Sequence, residues 1–161
     1  MAYVKVFAPS RKHRNHTWTL GVNTCTQKWN TDHCSGGGFY ACELKDLFLW
    51  LDCLYPCVRE CGWVDVPAGA HLVVYDDKIK ASQLEVLAFV PVEDMVYQFA
   101  VRAPLGAAAS AEKALMWACL MNRTELVRRL VQLTYCPLSN AMQCVYGNKE
   151  IAQVLREAGM K

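Results

Sequence analysis

The sequence predicts an α+β fold: a small strand-rich N-terminal domain with one main helix over residues 1–105, followed by helical hairpins over residues 106–161. Three observations carry this expectation. Short runs of β-branched and aromatic residues, punctuated by Gly, Pro and Asp, recur as far as Pro91. A single apolar series at helical spacing, Leu44, Leu47, Phe48, Leu51 and Leu54, interrupts them. After Pro104-Leu105-Gly106 the composition turns to helix formers without a strand signal.

Residues 3–8 read as a strand and residues 9–16 as a polar, basic loop. Thr17-Trp18-Thr19-Leu20 reads as a second short strand, with Gly21 and Asn23 as turn residues after it. The signal is weak from Thr24 to Cys34. Ser35-Gly36-Gly37-Gly38 then leads into a strand at Phe39-Tyr40-Ala41-Cys42, the glycines allowing a bend into a buried position. Glu43 to Leu54 is the main helix, with acidic residues at its positive end, and Pro56 stops it. Gly62–Pro67 and His71–Tyr75 read as strands around an Ala-Gly-Ala turn, and Leu84–Val90 as a β-rich run closed by Pro91. Lys78 and Lys80 are expected on a strand edge, where charge discourages edge-to-edge pairing. His16 and Trp18 are expected to form a hydrogen-bonded, partly buried pair.

In the tail, Ser110 is the expected cap of a helix through Ala114, Leu115, Ala118 and Met121, and Thr124 of a second through Leu126, Val127 and Leu130. A further pair is expected over about 138–146 and, capped by Asn148, 149–158. The stretch from Asn122 to Leu130 lines up with that from Gly147 to Leu155, an offset of 25 residues. With Ala114-Leu115-Met116-Trp117-Ala118-Cys119 as a first helix, this resembles degenerate ankyrin repeats, about two of them. The offset is shorter than the usual period of roughly 33 residues, and the Thr-Pro-Leu-His tetrapeptide is missing.

The N-terminal part carries an ordered set of motifs: Asn15-His16-x-Trp18-x-x-Gly21-Val22-Asn23, Cys34-Ser35-Gly36-Gly37-Gly38-Phe39-Tyr40, Leu51-Asp52, Val66-Pro67-Ala68-Gly69-Ala70, and Lys78-Ile79-Lys80-Ala81. Over about residues 12–95 this set resembles the domain that precedes ankyrin repeats in proteins of large DNA viruses of amoebae. The resemblance implies a viral protein acting in the infected cell. It supplies no reaction and no ligand.

Composition narrows the function classes. The 161 residues are 53% hydrophobic and 20% charged, which excludes disorder as the main state. Residues 1–106 carry 10 basic and 11 acidic groups and residues 107–161 carry 7 and 4, so no concentrated positive patch points to nucleic acid. Arg11-Lys12-His13-Arg14 is too short a basic run to change that. No apolar stretch reaches membrane-spanning length, and no membrane partner is expected. The N-terminus has no secretory pattern. The nine cysteines are therefore expected as reduced thiols in the host cytoplasm, with the virion or host nucleus as alternatives.

The residues offer four chemical readings. Gly37, Gly38, Phe39 and Tyr40 form the candidate pocket. With the helix behind them, they resemble the strand on which ADP-ribosyltransferase-like folds stack nicotinamide. The early His-Gly or Arg-Gly contact of those enzymes is missing, and Glu85 and Glu93 are the only late glutamates to consider. Cys53, Cys57 and Cys61, near His33, Cys34 and Cys42 in sequence, pose a zinc question. Pro56 interrupts the helix that would align the three, and no Cys-x-x-Cys pair exists. Cys34 or Cys42 with His71 is the Cys/His pair considered for a nucleophile. No catalytic residue, metal or cofactor is expected. The fourth reading is protein binding, to a host or viral partner, through Trp117, Met121 and Tyr146, at the positions where ankyrin arrays present side chains. So short a tail also leaves an apolar face on which two copies of the chain can associate.

Overall fold

The computed structural model describes residues 2–13, 15–54 and 58–159, with the backbone alone at His13, Cys53 and Leu54. The chain divides into two units, Met1–Val92 and Glu93–Lys161. The first is antiparallel and strand-rich, the second helical.

In the first unit, β1 (Tyr3–Phe7), β6 (Glu60–Asp65), β9 (Gln83–Pro91) and β4 (Gly21–Thr24) form one sheet in the order β1-β6-β9-β4. A second sheet runs β5 (Phe39–Ala41), β8 (Ile79–Ala81), β7 (Leu72–Val74). The sheets meet where Val4 and Cys42 exchange backbone hydrogen bonds of 2.8 and 2.9 Å. Between them lies an apolar core of Phe7, Trp18, Phe39, Val64, Ile79, Leu84 and Val86. Helix α1 (Leu47–Leu54) follows a short 3-10 turn at Leu44–Asp46 and buries Leu47, Phe48 and Leu51.

Three expectations change here. Gly21–Thr24 is a strand paired with β9, not a turn. Its apolar Val22 points out, 55% exposed, while polar Asn23 points in. The Asn23 amide donates to the carbonyls of Thr19 and Gly21, each at 2.8 Å, which replaces the apolar contact a buried strand position normally makes. The expected strand at 17–20 is instead a two-residue hairpin, β2 (Lys12–His13) against β3 (His16–Thr17). Lys78 and Lys80 do not line an edge. They sit on or beside β8, the middle strand of its sheet, and are 8% and 0% exposed.

The helical unit adds α2 (Val92–Arg102), which the sequence reading left unassigned between the β-rich run and Pro104. Val92, Met95, Val96, Phe99 and Ala100 are all buried, at the spacing of one helix face. Next come α3 (Ala107–Leu120), α4 (Thr124–Leu130), a 3-10 turn at Ala141–Cys144 in place of a full helix, and α5 (Lys149–Glu157). Ser110 lies inside α3 rather than at its start, and its Oγ accepts the Leu105 N–H at 3.0 Å. Thr124 makes no cap bond, whereas Asn148 does, its Oδ1 accepting the Ile151 N–H at 3.1 Å. Arg129 crosses from α4 to Asp94 on α2 at 2.6 Å and lies over the Tyr97 ring. Among the described residues no helix is long and apolar enough to cross a membrane.

Candidate functional site

The glycine-rich entry to β5 opens onto a cleft of about 230 Å³ in the first unit. Its walls are aromatic: Trp18, Phe39, Tyr40 and Trp50, with His16, Lys5 and Gln27 as the polar groups. Both β1, through Val4, Lys5 and Val6, and β5, with the preceding Gly38, line the cleft beside the Val4–Cys42 bridge. Gly37, Gly38, Phe39 and Tyr40 are thus brought to one place. Gly38, Phe39 and Tyr40 line the cleft, and Gly37 stands just behind them.

The glycines are required by close approach. Gly37 holds φ +81°, and a Cβ there would run into the Lys28 carbonyl. A Cβ on Gly38 would fall 2.8 Å from the Lys80 side chain and 3.1 Å from the Trp29 ring. The loop from Gln27 to Gly36 folds over this point, and Lys80 secures it. Its ammonium donates to Asn30 Oδ1, the Asp32 carbonyl and the Gly36 carbonyl at 2.7, 2.9 and 3.1 Å.

His16 and Trp18 pack edge to face at 4.8 Å between ring centres, and the hydrogen bond of His16 goes to Asn23 rather than to Trp18. His16 Nε2 stands 3.1 Å from the buried Asn23 carbonyl oxygen, so that nitrogen carries the proton and donates. Phe39 tilts against both rings, at 4.7 Å from His16 and 4.5 Å from Trp18. Phe39 is 8% exposed, so it serves as a wall and not as a free stacking face.

Lys5 is the reactive group of the cleft that sequence reasoning missed. It is partly buried, donates to the Tyr40 carbonyl at 2.7 Å and lies 4.6 Å from the Trp18 ring centre. Burial brings its ammonium down to about 8, the nearby Cys42 opposing that shift. A lysine one position from a strand's inward Val4 looks in sequence like any solvated strand residue. The Cys42 thiol is the opposite case: burial pushes it up to about 12, and it donates to the Val4 carbonyl.

Among the described residues no Asp or Glu lines the cleft. Glu85 is in β9 opposite Val22, and Glu93 belongs to the helical unit. His71 stacks on Trp29 at 5.5 Å and, among the described residues, makes no hydrogen bond to Cys34 or Cys42. Cys57 and the Cys53 side chain fall outside the described residues, while Cys61 is buried in β6. Among the described residues no group of three His, Cys, Asp or Glu side chains is placed to hold a metal ion. Cys25, Cys34, Cys42, Cys119, Cys136 and Cys144 are free thiols.

In the helical unit Trp117 is buried at 8% exposure, Met121 is intermediate and Tyr146 is 73% exposed. Compared with protein-family profiles, with curated proteins and with solved structures, the chain matches none.

Proposed function

We propose that the chain acts without catalysis, as a viral accessory or virion protein that binds a host or viral protein in the cytoplasm of the infected cell. The observation that carries this reading is Tyr146, a large side chain held almost wholly in solvent on the turn before α5. The turn is not loose. Asn148 caps α5 from it, and the Asn148 side-chain amide donates to Asn122 Oδ1 on the preceding turn at 3.3 Å. A rigid, exposed aromatic loses little entropy on binding, which is why such residues anchor interfaces.

The ankyrin-like reading of the tail belongs to the same proposal. It is supported by side-by-side placement of like elements, α3 with the 3-10 turn and α4 with α5. Arg128 adds an ion pair to Glu150 across the second of these contacts. Met121 flanks the first turn, and Trp117 holds α3 in the core of the unit behind it.

The test is affinity capture of the tagged full chain from infected cells, with Tyr146→Ala and Met121→Ala beside it. A discrete partner recovered with the parent chain and lost with Tyr146→Ala supports the reading. A partner that ignores both substitutions counts against it, and so does no partner at all. Sedimentation of the purified chain covers the case in which the occupant is a second copy.

An ADP-ribosyltransferase-like domain is the second reading, favoured by the cleft beside Phe39 and Tyr40 with His16 at its rim. Trp18 and Trp50 line that cleft and report on it. Saturable quenching of tryptophan fluorescence by NAD favours this reading. Its absence removes it.

A further inference from the structure

A second cluster lies beside the glycine loop, sharing Tyr40 and Trp50 with the cleft, and centres on the exposed thiol of Cys34. Cys34 Sγ stands within hydrogen-bond distance of His33 Nδ1, 3.0 Å away. The other nitrogen of that ring, Nε2, stands 3.9 Å from Asp77 Oδ1, and Tyr75 packs edge-on against the ring at 4.6 Å. From the opposite side Lys78 Nζ approaches the sulfur to 3.9 Å.

Lys78 makes the cluster unusual. The side chain is 8% exposed, and its ammonium sits among the faces of Tyr40, Trp50 and Tyr75 at 5.4, 5.5 and 5.9 Å from the ring centres. Among the described residues its hydrogen-bond acceptor is the Cys34 sulfur and no oxygen. Lys80, two residues on, is wholly buried but is satisfied by three oxygens. A buried cation retains an unmet demand for negative charge. Aromatic faces meet part of it. The group placed to supply the rest is a sulfur that gains charge when its proton moves to His33.

We propose that Cys34 is a nucleophilic thiol that undergoes exchange with low-molecular-weight disulfides, with His33 as its base and Lys78 as the cation beside the reacting sulfur. In the step, the Cys34 sulfur attacks one sulfur of the disulfide as its proton passes to His33 Nδ1. A Cys34–S bond forms and the original S–S bond breaks. The departing thiolate takes the proton from His33 and leaves as a free thiol. Cys34 is oxidised to a mixed disulfide and half of the reagent is reduced, so no further oxidant enters. Asp77 orients the imidazole and balances its charge while it holds the proton.

The experiment treats the native full chain with glutathione disulfide at neutral pH, quenches with acid and maps the adduct by peptide mass spectrometry. Cys25 and Cys136, both partly exposed and without a comparable His and Lys, serve as internal references. Cys34 is expected to take up glutathione about ten-fold faster than either, and His33→Asn to remove most of that advantage. Lys78→Met is expected to slow it similarly. Because that change is in the interior, it is read only where circular dichroism matches the parent, and His33→Asn at an exposed ring decides otherwise. A Cys34 rate no greater than that of Cys25, or one unchanged by His33→Asn, overturns the proposal.

Discussion

The ammonium of Lys80 donates to the side-chain oxygen of Asn30 at 2.7 Å, joining a wholly buried strand residue to a loop 50 positions earlier. With the Asp32 and Gly36 carbonyls completing the set, one cation fixes the loop that shapes both the cleft and the Cys34 cluster. Lys80→Met leaves three acceptors facing an apolar chain. The expected loss is about 3 kcal/mol in denaturant unfolding, in the range for buried bonds to a charged group. Gly38→Ala drives a methyl into the same lysine stem and into Trp29, and is expected to cost about 1–3 kcal/mol as overpacking. A neutral result for both would mean that this cation does not organise the loop.

Lys5 gives a pH signature. Its ammonium titrates at about 8 in the folded chain, below the ordinary lysine value, because burial disfavours the charge. Between about 8 and the lysine value of about 10.4 the unfolded chain therefore binds more protons than the folded one. Stability is expected to rise with pH across that window, and to lie at its lower plateau below it. Lys5→Met should flatten the rise, as measured by chemical denaturation from pH 7 to 10. An equal slope in parent and variant would show that the shift lies elsewhere.

Ala103 occupies the left-handed region, φ 51°, just after α2, where its carbonyl accepts the Gly106 N–H at 2.9 Å. A Cβ is disfavoured in that conformation, and Gly is the residue that tolerates it. Ala103→Gly is expected to stabilise the chain by about 0.5–1 kcal/mol, against the usual direction of an Ala-to-Gly change. Destabilisation on thermal or denaturant unfolding would contradict it.

Arg11 and Glu60 make a two-point ion pair, 2.7 and 2.8 Å, with the guanidinium stacked over Phe89. The hydrogen bonds from Arg11 hold the Glu60 carboxyl below its ordinary value. This contribution is present above the unfolded carboxyl range and fades as pH falls through the folded value. Glu60→Gln should therefore reduce the acid-side loss of stability, and an unaltered acid limb would remove the pair from the account.

The parts of this fold that were legible in sequence are those whose partners are near in the chain. Leu47, Phe48 and Leu51 announce α1, and the Asn148 cap announces α5. Strand β4 was hidden because its inward position is Asn23, whose hydrogen bonds do the work of an apolar side chain. Helix α2 was hidden because Val92, Val96, Tyr97 and Phe99 are also strand formers, and they follow a strand without a break. The lysines were misplaced for a different reason. Charge reads as exposure until the atoms that accept it are known, and the hydrogen-bond acceptors of the two lysines lie 44 to 50 residues away. Of the candidate site, the glycine turn and the Phe39-Tyr40 wall were visible in sequence. Lys5 was not, nor was the approach of His33 to Cys34, since adjacent residues seldom turn their side chains toward each other.

The central claim is that the helical unit binds a protein through the surface marked by Tyr146. It is tested most directly by placing a photo-crosslinking benzophenone residue at position 146 and irradiating infected cells. The same residue at Leu49, exposed in the other unit, is the control. The account predicts one discrete adduct at 146 and none at 49. No adduct at 146, or the same adduct from both positions, would contradict it.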